Sequence, residues 1–402
     1  MKRRQFLQGA ASGIGATLSM PAFLRSAAGQ SPIKIGIPTT FSGTFAIYGE
    51  QTKRGADFFS KEINAKGGVL GRPIKLIYED TSTNPAIAIR KAQQLVEKDG
   101  VKFLTGVVAS SEALAISPKC PEWNCLFIGT IPGAGALTTT AFNRNFFRVN
   151  VSAIMGSRIT SLYLKQSPLK RFYGIGSDYA YGHDSVATFS KLIGKLNKQT
   201  VGTAFPPIGT KDFASFITKI KESGAEACLV TLAGQDLAIF IKQAHQFGLN
   251  RSVKLLVESF QISDLDTIGD AMEGVIGVAR YVYTIDNPKN KKFVESYHAM
   301  YNAYPDYPDA TVYEALDWLC QTITNAGTAE NLEKIISAWE DTTYDGLRGQ
   351  VFMRKCDHQV AQEGFMAEAV KNPNGPGLIP KILAVYPRDQ VTPMCRSSEF
   401  SD

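Results

Sequence analysis

Residues 33–80, IKIGIPTTFSGTFAIYGEQTKRGADFFSKEINAKGGVLGRPIKLIYED, contain the pattern that decides the fold of this chain. IKIGIP and PIKLIYED are short β-rich runs. Between them, residues 50–65 carry apolar side chains at helical spacing and stop at Gly67-Gly68, a helix C-terminus signal. Strands separated by helices of about 10–15 residues are typical of βαβ units in a parallel sheet. The opening stretch therefore predicts an α/β fold.

The rest of the chain repeats this alternation in two halves. The first half continues with a predicted helix in NPAIAIRKAQQLVEKDG and strands in VKFLTGVVA and NCLFIGTI. After Asn150 the pattern restarts, with strands predicted in KRFYGIGSD, TVGTAFPPI, ACLVTLA and VKLLVES and helices between them. Residues 287–343 are almost purely helical in pattern, and the late strands GQVFMRK and PKILAVYP follow. Because no Pro/Gly-rich linker separates the halves, we expect short extended crossings between them.

Composition narrows the class of protein. The 402 residues are enough for two domains with their own cores, and 44% apolar and 20% charged residues are typical of an ordinary globular protein. Four of the 43 basic residues lie in the first 29 positions, which leaves 39 basic and 37 acidic residues in the remainder. This near balance, without a basic stripe, argues against a nucleic-acid partner.

The N-terminal segment has the layout of an export signal. A basic start containing RRQFL at positions 3–7 precedes a mildly apolar middle and small residues at 26–29. The paired arginines resemble the twin-arginine motif of bacterial Tat signals, and the segment has no lipobox cysteine. We expect residues 1–29 to be a Tat-type signal peptide that is cleaved close to Gly29 to release a soluble periplasmic product. An amphipathic or membrane-anchoring helix is the alternative.

Six cysteines in an exported chain permit disulfides. Cys356 and Cys395 bracket the C-terminal tail and form the first predicted pair, and Cys120 and Cys125, around the turn-like PEWN, form the second. Sequence alone does not fix this connectivity. Metal binding is the alternative, although the four histidines stand apart without ligand spacing. The two cysteines inside apolar runs are predicted to be small core residues, Cys228 and Cys320.

Candidate site residues follow the predicted strands. In open parallel α/β sheets, ligands bind outside the carboxyl ends of the strands, where loops and helix N-termini gather. The residues singled out at these ends are Tyr48, Ser110, Ser111, Pro132, Gly133, Tyr181, Gly234 and Glu258.

The adjacent serines Ser110 and Ser111 have three candidate roles. The surrounding V-A-S-S-E lacks the G-x-S-x-G pattern of a nucleophile elbow, and no histidine and acid follow in a recognisable arrangement. One serine is expected to cap the next helix. A hydroxyl beside the free N–H groups of a first helical turn can also hold a carboxylate, so capping alone and capping with ligand contact both remain open.

Three further candidates have a structural alternative beside the functional one. Tyr48 and Tyr181 each precede a glycine at the mouth of a predicted helix, one in each half, and could face each other across a cleft or belong to the core. Glu258 ends an apolar run, where it could meet a ligand cation or be a solvated surface glutamate. With no paired carboxylates, phosphate loop or metal cluster in the sequence, we expect a binding protein without cofactors and not an enzyme.

The chain resembles the leucine/isoleucine/valine-binding proteins, the periplasmic substrate-binding components of ABC importers. The resemblance rests on S-G-x-x-A-x-Y-G-E at 42–50, the I-N-A-K-G-G turn at 63–68 and the Y-E-D-T strand end at 78–81 in combination. Further matches are a glycine followed by a double serine at 106–111, DYAYG at 178–182 and GDAMEGV at 269–275. It extends over nearly all of the chain after the signal.

The resemblance implies the type I periplasmic-binding-protein fold, an α/β architecture of two Rossmann-like lobes joined by three hinge crossings. Lobe 1 would comprise residues 30–149 and 281–349, and lobe 2 residues 150–280 and 350–390, followed by a C-terminal tail, 391–402. The crossings would fall near residues 149–151, 280–282 and 348–351. A ligand would bind between the lobes, and closure would present the loaded form to a permease.

The resemblance also implies roles for site residues. The carboxylate-holding serine of the family maps onto Ser110, its cleft tyrosines onto Tyr48 and Tyr181, and its amine-binding glutamate near Glu258. The implied function is capture of an amino acid or related small carboxylate or amide by a monomeric protein that delivers it to an ABC permease.

Two departures from the family pattern keep other cargo open. The loop TIPGAGALT lacks the usual hydroxyl pattern of the amino-acid binders, and residues 233–235 stand where those proteins place a tyrosine. A urea-like compound or an aromatic carboxylate is therefore an alternative cargo. A ligand sensor of the same fold, feeding a receptor or regulator, is the alternative role.

Overall fold

Residues 33–80 form the strand–helix–strand unit that their pattern predicts. The protein is described here by a computed structural model covering residues 31–400, so the predicted signal peptide lies outside the described residues. β1 (Ile33–Thr39) and β2 (Ile74–Asp80) pair in parallel, and α1 (Ala46–Ala65) connects them. The helix ends where the N–H of Gly68, at φ +76°, donates to the carbonyl of Ile63 at 2.9 Å.

The first sheet has five parallel strands in the order β2-β1-β3-β4-β5. We call this sheet and the helices packed on it lobe 1. Its core contains large rings such as Phe103, Phe147 and Trp339. The other elements of its N-terminal part are α2 (Pro85–Glu97), β3 (Phe103–Thr105), α3 (Ser110–Ile116), β4 (Leu126–Gly129) and β5 (Phe146–Arg148).

The second sheet has seven strands in the order β15-β14-β10-β9-β8-β6-β7, and we call it and its helices lobe 2. The strands from β10 to β7 are parallel, whereas β14 and β15 join the edge antiparallel. Its strands are β6 (Arg171–Gly176), β7 (Gln199–Ala204), β8 (Ala227–Thr231), β9 (Lys254–Phe260), β10 (Ile276–Ala279), β14 (Gly364–Lys371) and β15 (Leu378–Tyr386). Its helices are α4 (Ala153–Leu164), α5 (Ala180–Gly194), α6 (Ala214–Glu222), α7 (Gly234–Gln246), α8 (Ile262–Ile268) and α12 (Arg388–Val391).

The chain returns to lobe 1 between β10 and β14. Residues 288–339 form the three predicted helices, and a small antiparallel sheet follows. Within the described residues, no helix has the length and apolarity needed to cross a membrane. The elements of this return are α9 (Pro288–Tyr301), α10 (Tyr307–Ala326), α11 (Leu332–Trp339), β11 (Thr342–Gly346), β12 (Gly349–Met353) and β13 (Val360–Ala361).

The third connection between the two large sheets lies later than expected. Val351 and Met353 of β12 and Val360 of β13 pack in the core of lobe 1. The chain therefore passes to β14 of lobe 2 through residues 362–363, beyond the expected crossing at 348–351. The other two connections follow β5 and β10, near the expected residues 149–151 and 280–282.

The predicted strands were mostly confirmed, but several elements were missed. The expected strand at 101–109 is only Phe103–Thr105, because the chain turns out of the sheet at Gly106, whose φ is +100°. Eight elements had no prediction: α4, β5, α8, β10, β11, β13, β14 and α12. They are short, or they carry small and mixed residues that give no clear period, as in GFMAEAVK.

The predicted Cys356–Cys395 disulfide is present, with Cα atoms 6.1 Å apart, so these two cysteines are not available as a thiolate metal site. The predicted Cys120–Cys125 disulfide was wrong: both are buried thiols in an apolar cluster, and contact with Cys125 together with burial raises the pKa of Cys120. The remaining two are unpaired buried thiols, as predicted, Cys228 and Cys320.

Candidate functional site: a cavity between the lobes

A cavity with an empty volume of about 340 Å³, including its mouth, lies between the lobes at the carboxyl ends of the parallel strands. In lobe 1 it is bounded by the segments that follow β1, β3 and β4 and by Tyr307 of α10, and in lobe 2 by the segments that follow β6, β8 and β10 and by Ser259 of β9. The lining residues are Phe45, Tyr48, Val108, Ser110, Ile131, Gly133, Tyr179, Tyr181, Ala233, Ser259, Arg280 and Tyr307.

Ser110 lines the cavity, but neither serine is the helix cap that the sequence suggested. The N-cap of α3 is Ala109, whose N–H donates to the Glu112 side chain at 3.0 Å, and Ser110 is the first helical residue. The Ser110 Oγ instead accepts from the N–H groups of Gly133 and Ala134, each at 3.1 Å. A hydroxyl that accepts two bonds still has one proton to donate, so Ser110 can offer a hydrogen bond to a ligand.

Tyr48 joins the two lobes at the cavity wall. Its hydroxyl oxygen accepts from Gln261 Nε2 at 2.6 Å and from Gly234 N–H at 3.2 Å, both in lobe 2. Burial, followed by the nearby Tyr307 and Asp264, raises the pKa of Tyr48 well above its usual value. The hydroxyl therefore keeps its proton and can also donate.

Gly234 permits close contact between the lobes and is not part of the lining, which its neighbour Ala233 supplies. The φ of Gly234 is +57°, and a Cβ there would lie 2.2 Å from the carbonyl oxygen of Thr44 in lobe 1. The predicted residue therefore lies in a loop that reaches the cavity, but the glycine itself serves the contact between the lobes.

The loop after β4 has a narrow fit against lobe 2. A Cβ on Gly133 would lie 2.8 Å from the Tyr181 ring and 3.3 Å from Arg280 Nη2, so only glycine leaves room there. The buried Arg148 guanidinium holds the loop by donating to the Ala134 carbonyl at 2.6 Å. Two other predicted residues do not line the cavity, Ser111 and Pro132.

Glu258 lies behind the cavity. Successive residues of a strand face opposite ways, and Ser259, not Glu258, lines the cavity. The Glu258 carboxylate packs on α4, where a Cβ on Gly156 would lie 2.1 Å from its Oε1. Neither carboxylate oxygen has a hydrogen-bond partner. Burial raises the pKa of Glu258 to about 8, although Arg280 opposes the shift, so the group is largely neutral at neutral pH.

The sequence prediction missed Arg280, the one charged side chain in the lining. It is 2% exposed and donates to the Ile131 carbonyl at 3.1 Å and to the Tyr181 hydroxyl at 2.9 Å. Burial lowers the pKa of Arg280, but Tyr181, Tyr307 and Glu258 together raise it above its usual value. The guanidinium is therefore a fixed positive charge in the cavity wall. Its position directly after the apolar run IGVA of β10 was the available signal.

Aromatic rings complete the wall. Phe45 lies 6.0 Å from both Tyr48 and Tyr179, measured between ring centroids. The sequence prediction missed Tyr307 because it comes from α10, far along the chain from the strand ends that were searched.

The partners of Ser110 are not those of an activated nucleophile. The Ser110 Oγ accepts from backbone amides, and within residues 31–400 no histidine or carboxylate hydrogen-bonds to it. The aromatic wall and the hydrogen bonds of Ser110 are suited to binding a small molecule.

Comparisons with known proteins agree with this architecture. Residues 32–375 match the profile of a family described as periplasmic binding protein. Leu/Ile/Val-binding protein homolog 6 of Brucella suis biovar 1 (strain 1330) is 26% identical over 357 residues, which cover 87% of this chain and 90% of that protein.

Two solved structures show the same fold. An amino acid ABC transporter substrate-binding protein from Pseudomonas fluorescens Pf-5 has a TM-score of 0.84 at 23% identity, covering 93% of this chain and 100% of that chain. An ABC transporter solute binding protein from Rhodopseudomonas palustris BisB5, in complex with 3,4-dihydroxy benzoic acid, has a TM-score of 0.83 at 22% identity, covering 89% and 98%. These likenesses confirm the predicted type I periplasmic-binding fold, and with the profile match they show that this chain belongs to the periplasmic binding protein family.

Proposed function

We propose that this protein is the exported solute-binding component of an ABC importer. It captures a small carboxylate or amide, including an amino acid, between its lobes and delivers it to a membrane permease. The observation that supports the proposal best is the cavity between the lobes, whose lining comes from both of them. The two similar structures, one named as an amino acid ABC transporter substrate-binding protein and one in complex with 3,4-dihydroxy benzoic acid, are consistent with such a cargo. The chain is exported by the Tat-type signal predicted in residues 1–29 and acts as a monomer.

The proposed ligand contacts include four of the predicted residues, Tyr48, Ser110, Gly133 and Tyr181, and the fact that they line the cavity supports this role. We add Arg280 to them as the charged contact. Ser111, Pro132, Gly234 and Glu258 support the walls and do not touch the ligand in this proposal.

The lobes are closed over the cavity, and lobe-to-lobe hydrogen bonds hold them there. Asp306, the N-cap residue of α10 in lobe 1, accepts from the N–H groups of Ile262 and Ser263 in lobe 2 at 3.2 and 2.9 Å. The Gly135 N–H of lobe 1 donates to Asp184 of lobe 2 at 2.8 Å. A ligand that contacts both lobes favours this closed form, because it gains its full set of contacts only there.

A thermal-shift screen of residues 30–402 with amino acids, short amides, urea and aromatic acids tests the proposal. A ligand present at 100 times its Kd adds about 2.7 kcal/mol to the free energy of unfolding and so raises Tm. If no compound across these classes raises Tm, solute binding is refuted.

The Ser110→Ala variant separates binding from hydrolysis. As a ligand contact, the serine should contribute about 1–3 kcal/mol to the binding of the stabilising compound. Ser111→Ala is the matched comparison, since the adjacent side chain lies outside the lining, and we expect it to leave affinity nearly unchanged. Turnover of an ester or amide that disappears in Ser110→Ala would instead identify a hydrolase.

A further inference from the structure

The cavity lining is charged at one point and carries no counter-charge. Of its twelve residues only Arg280 is ionised, and the rest are hydroxyl-bearing, apolar or glycine. Within residues 31–400, no carboxylate forms an ion pair with Arg280; the neighbouring Glu258 interacts with it electrostatically, but burial raises the pKa of Glu258 to about 8, so that group is largely neutral at neutral pH. A buried cation without an ionised carboxylate beside it is costly, so a ligand that brings a negative charge is favoured at this place.

Arg280 has N–H groups that form no hydrogen bond within the protein and can donate to that negative charge. A guanidinium has five N–H donors, and the two hydrogen bonds to Ile131 and Tyr181 use one on each Nη. The Nε–H of Arg280 is buried without a hydrogen-bond partner. The remaining donors form the planar fork that matches the two oxygens of a carboxylate.

Five aromatic rings of the wall form an open circuit, with Tyr307 at one end and Tyr181 at the other. In one direction, the centroid of the Phe45 ring lies 6.0 Å from that of Tyr48, which lies 6.2 Å from that of Tyr307. In the other direction, the Phe45 centroid lies 6.0 Å from that of Tyr179, which lies 6.0 Å from that of Tyr181.

Arg280 closes this circuit, with its guanidinium carbon 5.3 Å from the Tyr181 ring and 5.4 Å from the Tyr307 ring. An aromatic cage alone suits an organic cation, but a cage completed by a guanidinium repels one. Ring faces and edges around a small volume suit a flat apolar body.

An α-amino acid fits this cavity poorly. Its ammonium group needs an anion, and the side chain expected to supply it, Glu258, packs on α4 at Gly156 and leaves the lining to Ser259. The ammonium would also lie in the same small cavity as the Arg280 guanidinium. Like charges in a water-poor site raise the cost of binding.

Building on the solute-binding role proposed above, we propose that the cargo is an aromatic monocarboxylate without an ammonium group. Its carboxylate pairs with Arg280 and its ring lies within the cage of Phe45, Tyr48, Tyr179, Tyr181 and Tyr307. Ser110 and the tyrosine hydroxyls then donate hydrogen bonds to polar substituents of the ligand or to its second carboxylate oxygen.

Calorimetric titration of the wild-type protein with five matched probes tests this. The probes are benzoate, benzamide, cyclohexanecarboxylate, L-phenylalanine and L-leucine. We expect benzoate to bind at least about tenfold more tightly than each of the others, since each lacks the charge, lacks the flat ring or adds an ammonium group. A probe that binds as tightly as benzoate overturns the assignment, and so does a failure of benzoate to bind.

The Arg280→Met variant tests the anchor directly. We expect it to weaken benzoate binding about 100-fold while benzamide changes little, so that the preference between the two disappears. Arg251→Met, which removes an exposed arginine of lobe 2, is the charge-matched control and should keep the preference. If Arg280→Met does not fold, as judged by circular dichroism and Tm, the titration of the wild-type protein with the five probes still decides whether the cargo is an aromatic monocarboxylate. Stabilisation by leucine alone would refute this cargo and leave solute binding standing.

Discussion

Replacing Glu258 with glutamine should remove a large pH dependence of stability. The carboxyl group is 1% exposed, and both of its oxygens lack hydrogen-bond partners. It lies between Gly156 of α4 and the charged Arg280, near the Tyr181 ring of α5. Glutamine has the same shape and cannot ionise, so the variant isolates the effect of the proton.

The magnitude follows from the shift in pKa. Burial raises the pKa of folded Glu258 from 4.5 to about 8, whereas the unfolded chain keeps the ordinary value. Between these two pH values the folded protein holds a proton that the unfolded chain has released, so rising pH favours unfolding. Each pKa unit corresponds to about 1.36 kcal/mol, which gives a loss of about 5 kcal/mol across the window. The stability is fully present below the lower pKa and is lost as the pH rises through the upper one.

Urea unfolding of both proteins, followed by circular dichroism, measures the effect. From about pH 5 to about pH 8, the free energy of unfolding of wild type should fall by about 4 kcal/mol relative to Glu258→Gln. The control is Glu295→Gln, an exposed glutamate on α9, whose pH profile should parallel that of wild type. If the Glu258→Gln profile also runs parallel to wild type, the buried carboxyl is ionised throughout and the assignment of its charge state is wrong.

Three further changes give separate tests. Gly133→Ala should abolish ligand binding because its Cβ would lie 2.8 Å from the Tyr181 ring, whereas Gly194→Ala, with no atom within 4 Å, should bind normally in the same titration. Mutating Cys356 and Cys395 together to serine opens a crosslink with a sequence separation of 39, so urea unfolding should show a loss of about 4 kcal/mol; an unchanged midpoint would contradict it. Asp306→Asn weakens the contact with α8 and should increase the radius of gyration in small-angle scattering of the ligand-free protein, and an unchanged radius would show that this contact does not hold the lobes.

The fold was largely predictable because its long elements have clear periods. The βαβ unit at 33–80 and the helices of residues 288–339 stand where their patterns indicated. The third connection was misplaced because β12 and β13 are short strands whose partners come from lobe 1, and no local pattern states which lobe a strand joins. The lobe that a strand joins is determined by tertiary contacts, which the local sequence does not show.

The candidate site was predictable only in the segments that lead from a parallel strand into the next helix. Tyr48, Ser110, Gly133 and Tyr181 were found in this way, and all four line the cavity, while their contacts with a ligand stay predictions. Glu258 was misplaced by one residue because strand pleating decides which neighbour faces the cavity, and the sequence around LLVES does not reveal that facing.

In the proposed mechanism, the position of Arg280 couples recognition of the ligand charge to closure of the lobes. It lies directly after β10, where the chain leaves lobe 2, and its guanidinium joins the Ile131 carbonyl of lobe 1 to the Tyr181 hydroxyl of lobe 2. A cation fixed to the face of one lobe would attract an anion nearly as well in the open form, and such a ligand would shift the equilibrium little. An arginine held by both lobes is oriented only when they close, so a carboxylate gains most of its interaction in the closed form. The differential affinity that closure requires can therefore come from this single residue.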